Sequence, residues 1–194
     1  MVDFTFKTKP YDHQLSALKA SCDSEAFALL MDMGTGKSKV LVDTITHLNQ
    51  KDLINSVLIL APKGVYKNWV EKEIPAHLPD EIKYKLAYWA SPLTNKHKDA
   101  IRSIWKVDET LHIFVMNIEA LSSGKAEEVA TKFIKTHGGR TLITIDESTV
   151  IKNHKARRTK AALRLAKSCA YRRILTGSPI TKTPLDLFAQ FQFL

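Results

Sequence analysis

Six short apolar runs limit what this chain can fold into: "AFALLMDM", "SVLILAP", "KLAYWA", "HIFVMNIEAL", "TLITIDE" and "RRILTGSP". Each reads as a strand buried on both faces. Between them lie stretches with helical character: "KSKVLVDTITHL", "GVYKNWVEKEIPAHL", "KDAIRSIWK", "KAEEVATKFIKTHGG" and "ARRTKAALRLAKSC". Buried strands alternating with helices predict an α/β fold, three layers (α/β/α) around a mostly parallel sheet. No repeat, low-complexity tract or linker breaks the 194 residues, so residues 1–194 read as one domain.

In such a fold, ligands collect where strands end and loops enter the next helix. The first run ends in "MDMGTGKS" and a helix follows, which is the setting of a phosphate-binding loop. The usual pattern is G-x-x-x-x-G-K-[ST], and Met31 stands in place of its first glycine. Gly34 and Gly36 let backbone N–H groups turn inward around an anion, and the helix dipole adds favourable potential. Met33, Gly34, Thr35, Gly36, Lys37 and Ser38 are therefore candidates for nucleotide binding. Lys37 would reach the β- and γ-phosphates, and the Ser38 hydroxyl would ligate Mg2+. A second acidic strand end supplies the partner: in "TLITIDES", Asp146 would hold the Mg2+ and Glu147 would polarise the attacking water. Lys37, Asp146 and Glu147 are the candidate catalytic residues, with a nucleoside triphosphate and Mg2+ as the expected ligands.

The net charge of +9 is unevenly spread. No acid lies between Glu147 and Asp186, where Lys152, Lys155, Arg157, Arg158, Lys160, Arg164, Lys167, Arg172, Arg173 and Lys182 are concentrated. Such a block suits a polyanionic partner; the alternative is a solvated basic helix face. The spacing of Ala162, Leu165, Ala166 and Cys169 assigns the other face of that helix to the core. Trp69, Trp89 and Trp105 are read as core residues rather than base-stacking platforms. No run of eighteen apolar residues and no signal peptide are present, so no membrane partner is expected. Cys22 and Cys169 lack a C-x-x-C partner, which favours a reducing compartment, and the histidines show no zinc-ligand spacing.

Taken together, these motifs resemble the superfamily-two helicases, most closely their Swi/Snf-type, chromatin-remodeller-like branch. "DMGTGKS" is similar to the family's first motif, in which a non-glycine first position is common. "LILAPKGVYKNWVEKE" resembles the motif after the second strand, including Asn68-Trp69 and Glu73. "DESTVIKN" has the length of the Asp-Glu-Ala-His box, with Ser148-Thr149 in place of Ala-His, and closes on Lys152-Asn153. "ILTGSPI" running into "LFAQFQFL" resembles the threonine-glycine motif and the helix behind it, although Thr181-Lys182 replaces the usual polar pair. "KPYDHQ" resembles the glutamine motif, which implies Gln14 on the adenine edge and Tyr11 as a ring contact.

The resemblance implies the N-terminal RecA-like lobe of an ATP-dependent DNA translocase, with ATP bound between this lobe and a second one outside this chain. The second lobe would supply the arginine finger, so weak hydrolysis is expected of the chain alone. Thr176, Gly177 and Ser178 would couple the γ-phosphate state to the nucleic-acid side. Lys63, Gly64, Asn117, Lys152, Asn153 and His154 would touch the DNA backbone, with little sequence preference. Two alternatives stay open: the motor lobe of a restriction enzyme or strand-separating helicase, and a nucleotide-gated binding module that never hydrolyses. A P-loop small-molecule kinase would want an arginine-bearing lid and a substrate pocket, which the sequence does not offer. A cytoplasmic, bacterial or phage-like setting is expected, with a nuclear one left open.

Overall fold

All six apolar runs are strands: β1 (Ala26–Leu30), β2 (Ser56–Ala61), β3 (Tyr84–Tyr88), β4 (Leu111–Asn117), β5 (Thr141–Asp146) and β6 (Tyr171–Thr176). In the computed structural model, which describes residues 4–90 and 92–194, they form one sheet in the order β1-β6-β5-β2-β4-β3. Every neighbouring pair is parallel. The connections carry α1 (Asp12–Ser21), α2 (Lys37–Gln50), α3 (Tyr66–Asn68), α4 (Ile74–His77), α5 (Asn95–Ser103), α6 (Gly124–Thr136), α7 (Arg157–Ala166) and α8 (Asp186–Phe193). A π-turn over Trp69–Glu73 joins α3 to α4 without a break.

Strand side chains alternate between two cores, one on each face of the sheet. Val57, Ile59 and Ala61 of β2 pack with Leu18 of α1, Val40, Leu41 and Ile45 of α2, and Trp69 and Ile74. Leu58 and Leu60 point the other way, against Ile101 of α5, Phe133 of α6, Ala162 and Leu165 of α7, and Phe193 of α8. The expected three layers are therefore present. Burial on both faces holds along the whole of β2 and β5, and nearly all of β4. The edge strands β1 and β3 are only partly covered. Helix α1 lies outside the stretches expected to be helical, because its buried face mixes Gln14 and Ser21 with a single Leu18 and carries almost no apolar period.

Part of the basic block belongs to this scaffold. Arg173 is fully buried and donates to the carbonyls of Ser21, Ser24, Glu25 and Arg172 at 2.6–3.1 Å, closing the end of α1 onto the β1–β6 edge. Burial lowers its guanidinium to about 10. Arg164 makes two bonds to the Glu127 carboxylate at 2.7 and 2.9 Å, Arg158 donates to Val150 O, and Arg172 donates to Leu194 O. These four arginines are engaged within the protein, which neither a polyanionic partner nor a solvated face had anticipated. Both cysteines are free and buried. The histidine reading changes too: the fold brings Cys22, Asp23 and His47 within 4.8 Å of one another. Asp23 is already held there by Lys51 at 2.8 Å and His47 at 3.0 Å.

His112 and His137 pack with ring centroids 4.5 Å apart and planes tilted by 35°, both buried. His137 meets Ile104 O through Nε2 at 2.8 Å, whereas neither nitrogen of His112 has a well-directed hydrogen bond among the described residues. Asp108 lies 3.2 Å from His112 Nε2 without that geometry. Burial holds both imidazoles below the ordinary histidine range. As pH falls, the unfolded chain therefore takes up protons first. The stability these rings contribute is complete above about pH 6.5 and is lost as pH drops from there through their folded-state values. Thermal unfolding should show a midpoint lower by about 2–4 °C or more at pH 5.5 than at pH 7.5. His112→Phe, which keeps an aromatic ring against His137 but cannot titrate, should lose less over the same interval.

Candidate nucleotide and magnesium site

Strand register brings the site together. Leu30 at the end of β1 pairs with Thr176 at the end of β6, and Leu175 beside it pairs with Asp146 at the end of β5. The phosphate loop, the acidic pair and the threonine-glycine motif thus leave the sheet at one level. Gly34 and Gly36 have φ of +75° and +82°, a left-handed backbone that side chains disfavour and that curls the loop. Lys37 opens α2, and its ammonium folds back to donate to Met31 O at 2.9 Å and Asp32 O at 3.0 Å. Thr35 Oγ1 also donates to Asp32 O.

Gln14 takes a part that the sequence did not suggest. Its Nε2 donates to Thr35 O at 3.0 Å, and its Oε1 accepts from the Tyr11 N–H at 3.0 Å. A Cβ on Gly36 would meet Gln14 Nε2 at 2.3 Å, so a side chain there would push the Gln14 amide aside in addition to straining the left-handed φ. His13 Nε2 lies 2.9 Å from the same Thr35 carbonyl. Helix α1 therefore clamps the loop from outside. Each half of the Gln14 amide keeps one more hydrogen-bonding position for a ligand. Tyr11 is 72% exposed and stacks on His13.

Asp146 is 8% exposed. Its Oδ2 accepts from the Trp69 indole N–H at 2.9 Å, and its Oδ1 accepts from the Glu147 N–H at 3.0 Å. Desolvation pushes its carboxyl above the usual range, and the Glu147 charge adds to this, against the opposing pull of Trp69 and Lys37. A carboxylate this deep, with one neutral donor on each oxygen, is short of positive charge. That is the electrostatic situation a bound dication would correct. Glu147 follows with φ 50° and ψ 63°, a left-handed conformation that costs a non-glycine residue about 1–2 kcal/mol. Thr176 Oγ1 donates to Glu147 Oε2 at 3.4 Å and accepts from the Ser178 N–H at 3.2 Å. A Cβ on Gly177 would lie 3.2 Å from Met33 N and 3.4 Å from Met31 O, so the phosphate loop passes directly over this glycine.

A cleft of about 330 Å³ opens between these parts. Met33, Gly34, Gly36, Lys37 and Ser38 line it together with Asp146 and Glu147, and so do Lys39, Glu73 and His77. Sequence reasoning did not place Lys39, Glu73 or His77 there. Lys39 is neutralised by Asp43 at 2.9 Å, while Glu73 accepts from Asn68 Nδ2 at 2.9 Å and lies 3.9 Å from His77. The Asn68-Trp69 and Glu73 signature could have pointed to them.

The expected nucleic-acid residues lie at neighbouring strand ends, Ala61 of β2 being paired with Asn117 of β4. Lys63 and Gly64 are exposed, and the Lys63 N–H donates to Glu119. Lys63 and Asn117 line a groove of about 840 Å³ with Trp89, Lys98 and Lys125 on its walls. Asn117 also caps the following turn by accepting from Ala120 N. After β5, Lys152 donates to Thr181, Asn153 accepts from Lys155 N, and His154 sets its edge against Phe188. Trp69 and Trp89 are core residues as expected; Trp105 is partly buried, with the Lys132 ammonium 4.0 Å over its ring. Among the described residues no helix is long and apolar enough to cross a membrane.

Comparison with known proteins gives the family of the chain. A family model described as the SNF2-related domain matches residues 13–194. The chain is 27% identical over 171 residues to the chromatin-remodeling ATPase INO80 of Cryptococcus neoformans, covering 84% of this chain and 9% of that protein. It is 26% identical to human INO80, covering 84% of this chain and 10% of that protein. To the rice SNF2 domain-containing protein ENL1 it is 25% identical, covering 94% of this chain and 18% of that protein. These relatives are fungal, human and plant proteins, and give no support to the bacterial or phage-like setting expected from the sequence. Among solved structures, the Sulfolobus solfataricus SWI2/SNF2 ATPase core in complex with dsDNA superposes with a TM-score of 0.73 at 22% identity, covering 98% of this chain and 36% of that one. The UvsW helicase of bacteriophage T4 superposes with a TM-score of 0.66 at 12% identity, covering 96% of this chain and 58% of that one. The chain spans less than a fifth of each curated relative named here, and within that span it belongs to the SNF2-related domain family, alongside the chromatin-remodeling ATPases INO80.

Proposed function

We propose that the chain is the ATP-binding lobe of a DNA translocase, hydrolysing ATP with Mg2+ when a second RecA-like lobe closes on it. The observation that carries this reading is the meeting of Lys37, Ser38, Asp146 and Glu147 around one cleft. The curled loop and the N-terminus of α2 offer N–H groups to the phosphates. Lys37, which now donates only to two backbone carbonyls, would turn to the β- and γ-phosphates. Ser38 and Asp146 would hold Mg2+, which supplies charge neutralisation at the transferring phosphoryl group. Glu147 would hold and polarise the attacking water, while Thr176 keeps its carboxylate in place. Gly177 and Ser178 carry any movement of that loop into the strand end behind it.

Lys63, Gly64, Asn117, Lys152, Asn153 and His154 would meet the sugar-phosphate backbone along the carboxyl edge of the sheet. Of the basic block, Lys155, Arg157, Lys160, Lys167 and Lys182 remain exposed and available to phosphates. The SWI2/SNF2 core solved with dsDNA supports duplex DNA as the partner. An arginine finger from the second lobe would contribute roughly 10³–10⁵ in rate, so slow turnover is expected of this chain alone.

Glu147→Gln should lower single-turnover hydrolysis by about 10²-fold or more while leaving binding of a fluorescent ATP analogue within about threefold. Lys37→Ala should lose both. Absence of Mg2+-dependent hydrolysis in the unmodified chain, with or without duplex DNA, would favour the non-hydrolysing, nucleotide-gated module instead.

Binding to duplex DNA should weaken steeply with added salt and show little sequence preference. Lys63→Ala and Lys152→Ala should each reduce the slope of log K against log salt by about 1. A salt-independent affinity would overturn the backbone-tracking reading.

A further inference from the structure

Trp69 is 1% exposed and packed in the core on one face of the sheet. Its single polar atom nevertheless lies 2.9 Å from Oδ2 of Asp146, the most deeply buried carboxylate of the nucleotide site. We propose that Trp69 is a positioning residue for the magnesium site, its indole N–H fixing the Asp146 carboxylate in the orientation that receives the ion. This inference rests on Asp146 being the magnesium-binding acid.

The chemistry of the donor favours this role. An indole N–H gives one hydrogen bond and accepts none. Lysine or arginine at this place would neutralise Asp146 and compete with the cation. A hydroxyl or amide could rotate and offer an acceptor instead. The bulky ring, fully buried in the same core cluster as Val40, Ile59 and Ile74, leaves the N–H little freedom to turn away. With Oδ2 held by Trp69 and Oδ1 by the Glu147 N–H, both oxygens are oriented and each keeps a free lone pair. Fixing an acidic ligand through its remaining acceptor positions is how outer partners tune a metal site.

The backbone around Trp69 is built to hold it. Trp69–Glu73 is a π-turn, a wider loop that recurs at functional sites. Asn68 Nδ2 bridges this turn to Glu73 Oε1 at 2.9 Å, and Glu73 lines the cleft. At its start the helix is pinned by Val65 and Tyr66 N–H groups on Pro62 O, at 2.8 and 3.0 Å. The Asn68-Trp69 and Glu73 signature thus belongs to the nucleotide site, although all three residues precede the acidic box by more than one strand.

The test replaces Trp69 in the 194-residue chain with 3-benzothienylalanine, which keeps the ring shape but has sulfur where the N–H was; Trp69→Phe is the second variant. ADP binding is measured in EDTA, and Mg2+ is then titrated into the ADP complex. The Mg2+ concentration at half-effect should rise roughly 10–100-fold, while ADP affinity in EDTA stays within about threefold. An unchanged Mg2+ dependence in either folded variant overturns the inference. A second readout needs no substitution of Trp69: in Trp89→Phe/Trp105→Phe protein the one remaining indole ¹H–¹⁵N resonance should shift when Mg2+ joins bound ADP. A resonance that stays still overturns the inference as well. If the unmodified chain shows no Mg2+-dependent nucleotide binding, the reading of the site fails and the inference fails with it. A normal Mg2+ response that is indifferent to Trp69 sinks the inference alone.

Discussion

The carboxylate of Asp146 is the constraint around which the rest is arranged. A charge at the end of a central strand, covered on both faces by helices, carries a desolvation penalty that only nearby donors and positive charge can offset. The sheet places it between β6 and β2, so the strands on either side determine what can approach it. On one side, the pairing of Leu30 with Thr176 carries the phosphate loop and Lys37 to the same level. From the helix layer, Trp69 supplies a donor. Each of these arrivals depends on ordinary hydrophobic packing, but they converge on a group that packing alone would exclude.

How much of this was legible in the sequence follows from the kind of information each residue carries. The strands were legible because residues such as Val57 to Leu60 can only be buried on both faces. That Lys37, Ser38, Asp146 and Glu147 share one cleft was legible because all four sit at strand ends, which a parallel sheet brings to one level. Trp69 was legible only as a core residue: apolar spacing reports burial and says nothing of where one N–H points. Glu73 and His77 reach the cleft from a helix whose position against the phosphate loop is a tertiary fact. Gln14 was recognised by its motif, yet its contacts run to Thr35 O and the Tyr11 N–H, partners that no one-dimensional spacing reveals.

The positive charge divides in the same way. In one dimension Arg164, Arg172 and Arg173 are indistinguishable from Lys155 or Lys160. In three dimensions Arg173 is a buried hub for four carbonyls, and Arg164 is paired with Glu127. A guanidinium can satisfy several acceptors from a fixed planar fork, so it is the basic side chain suited to such scaffold positions. The lysines, compact point charges on flexible stems, stay at the surface where phosphates could find them. Counting basic residues therefore overstates the electrostatic footprint toward a polyanion, and the part left over is mostly lysine.

Met31 shows why a phosphate loop can lack its first glycine here. The residue contributes its backbone carbonyl, which accepts from the Lys37 ammonium and lies close to Gly177. A carbonyl is common to all residues, so this contact places no demand on the side chain. Nor does the backbone, since the non-glycine residues with positive φ among those described are Asp52 and Glu147, and Met31 is not one of them. Its side chain is partly buried against the core on the α1 and α2 face, where glycine would leave a gap. Glycine is called for instead where φ is left-handed, at Gly34 and Gly36, and where backbone comes close, at Gly177 against the loop itself. A bulky residue at position 31 is then compatible with the curl of this loop as long as those glycines remain, because they, rather than the first position, set its path.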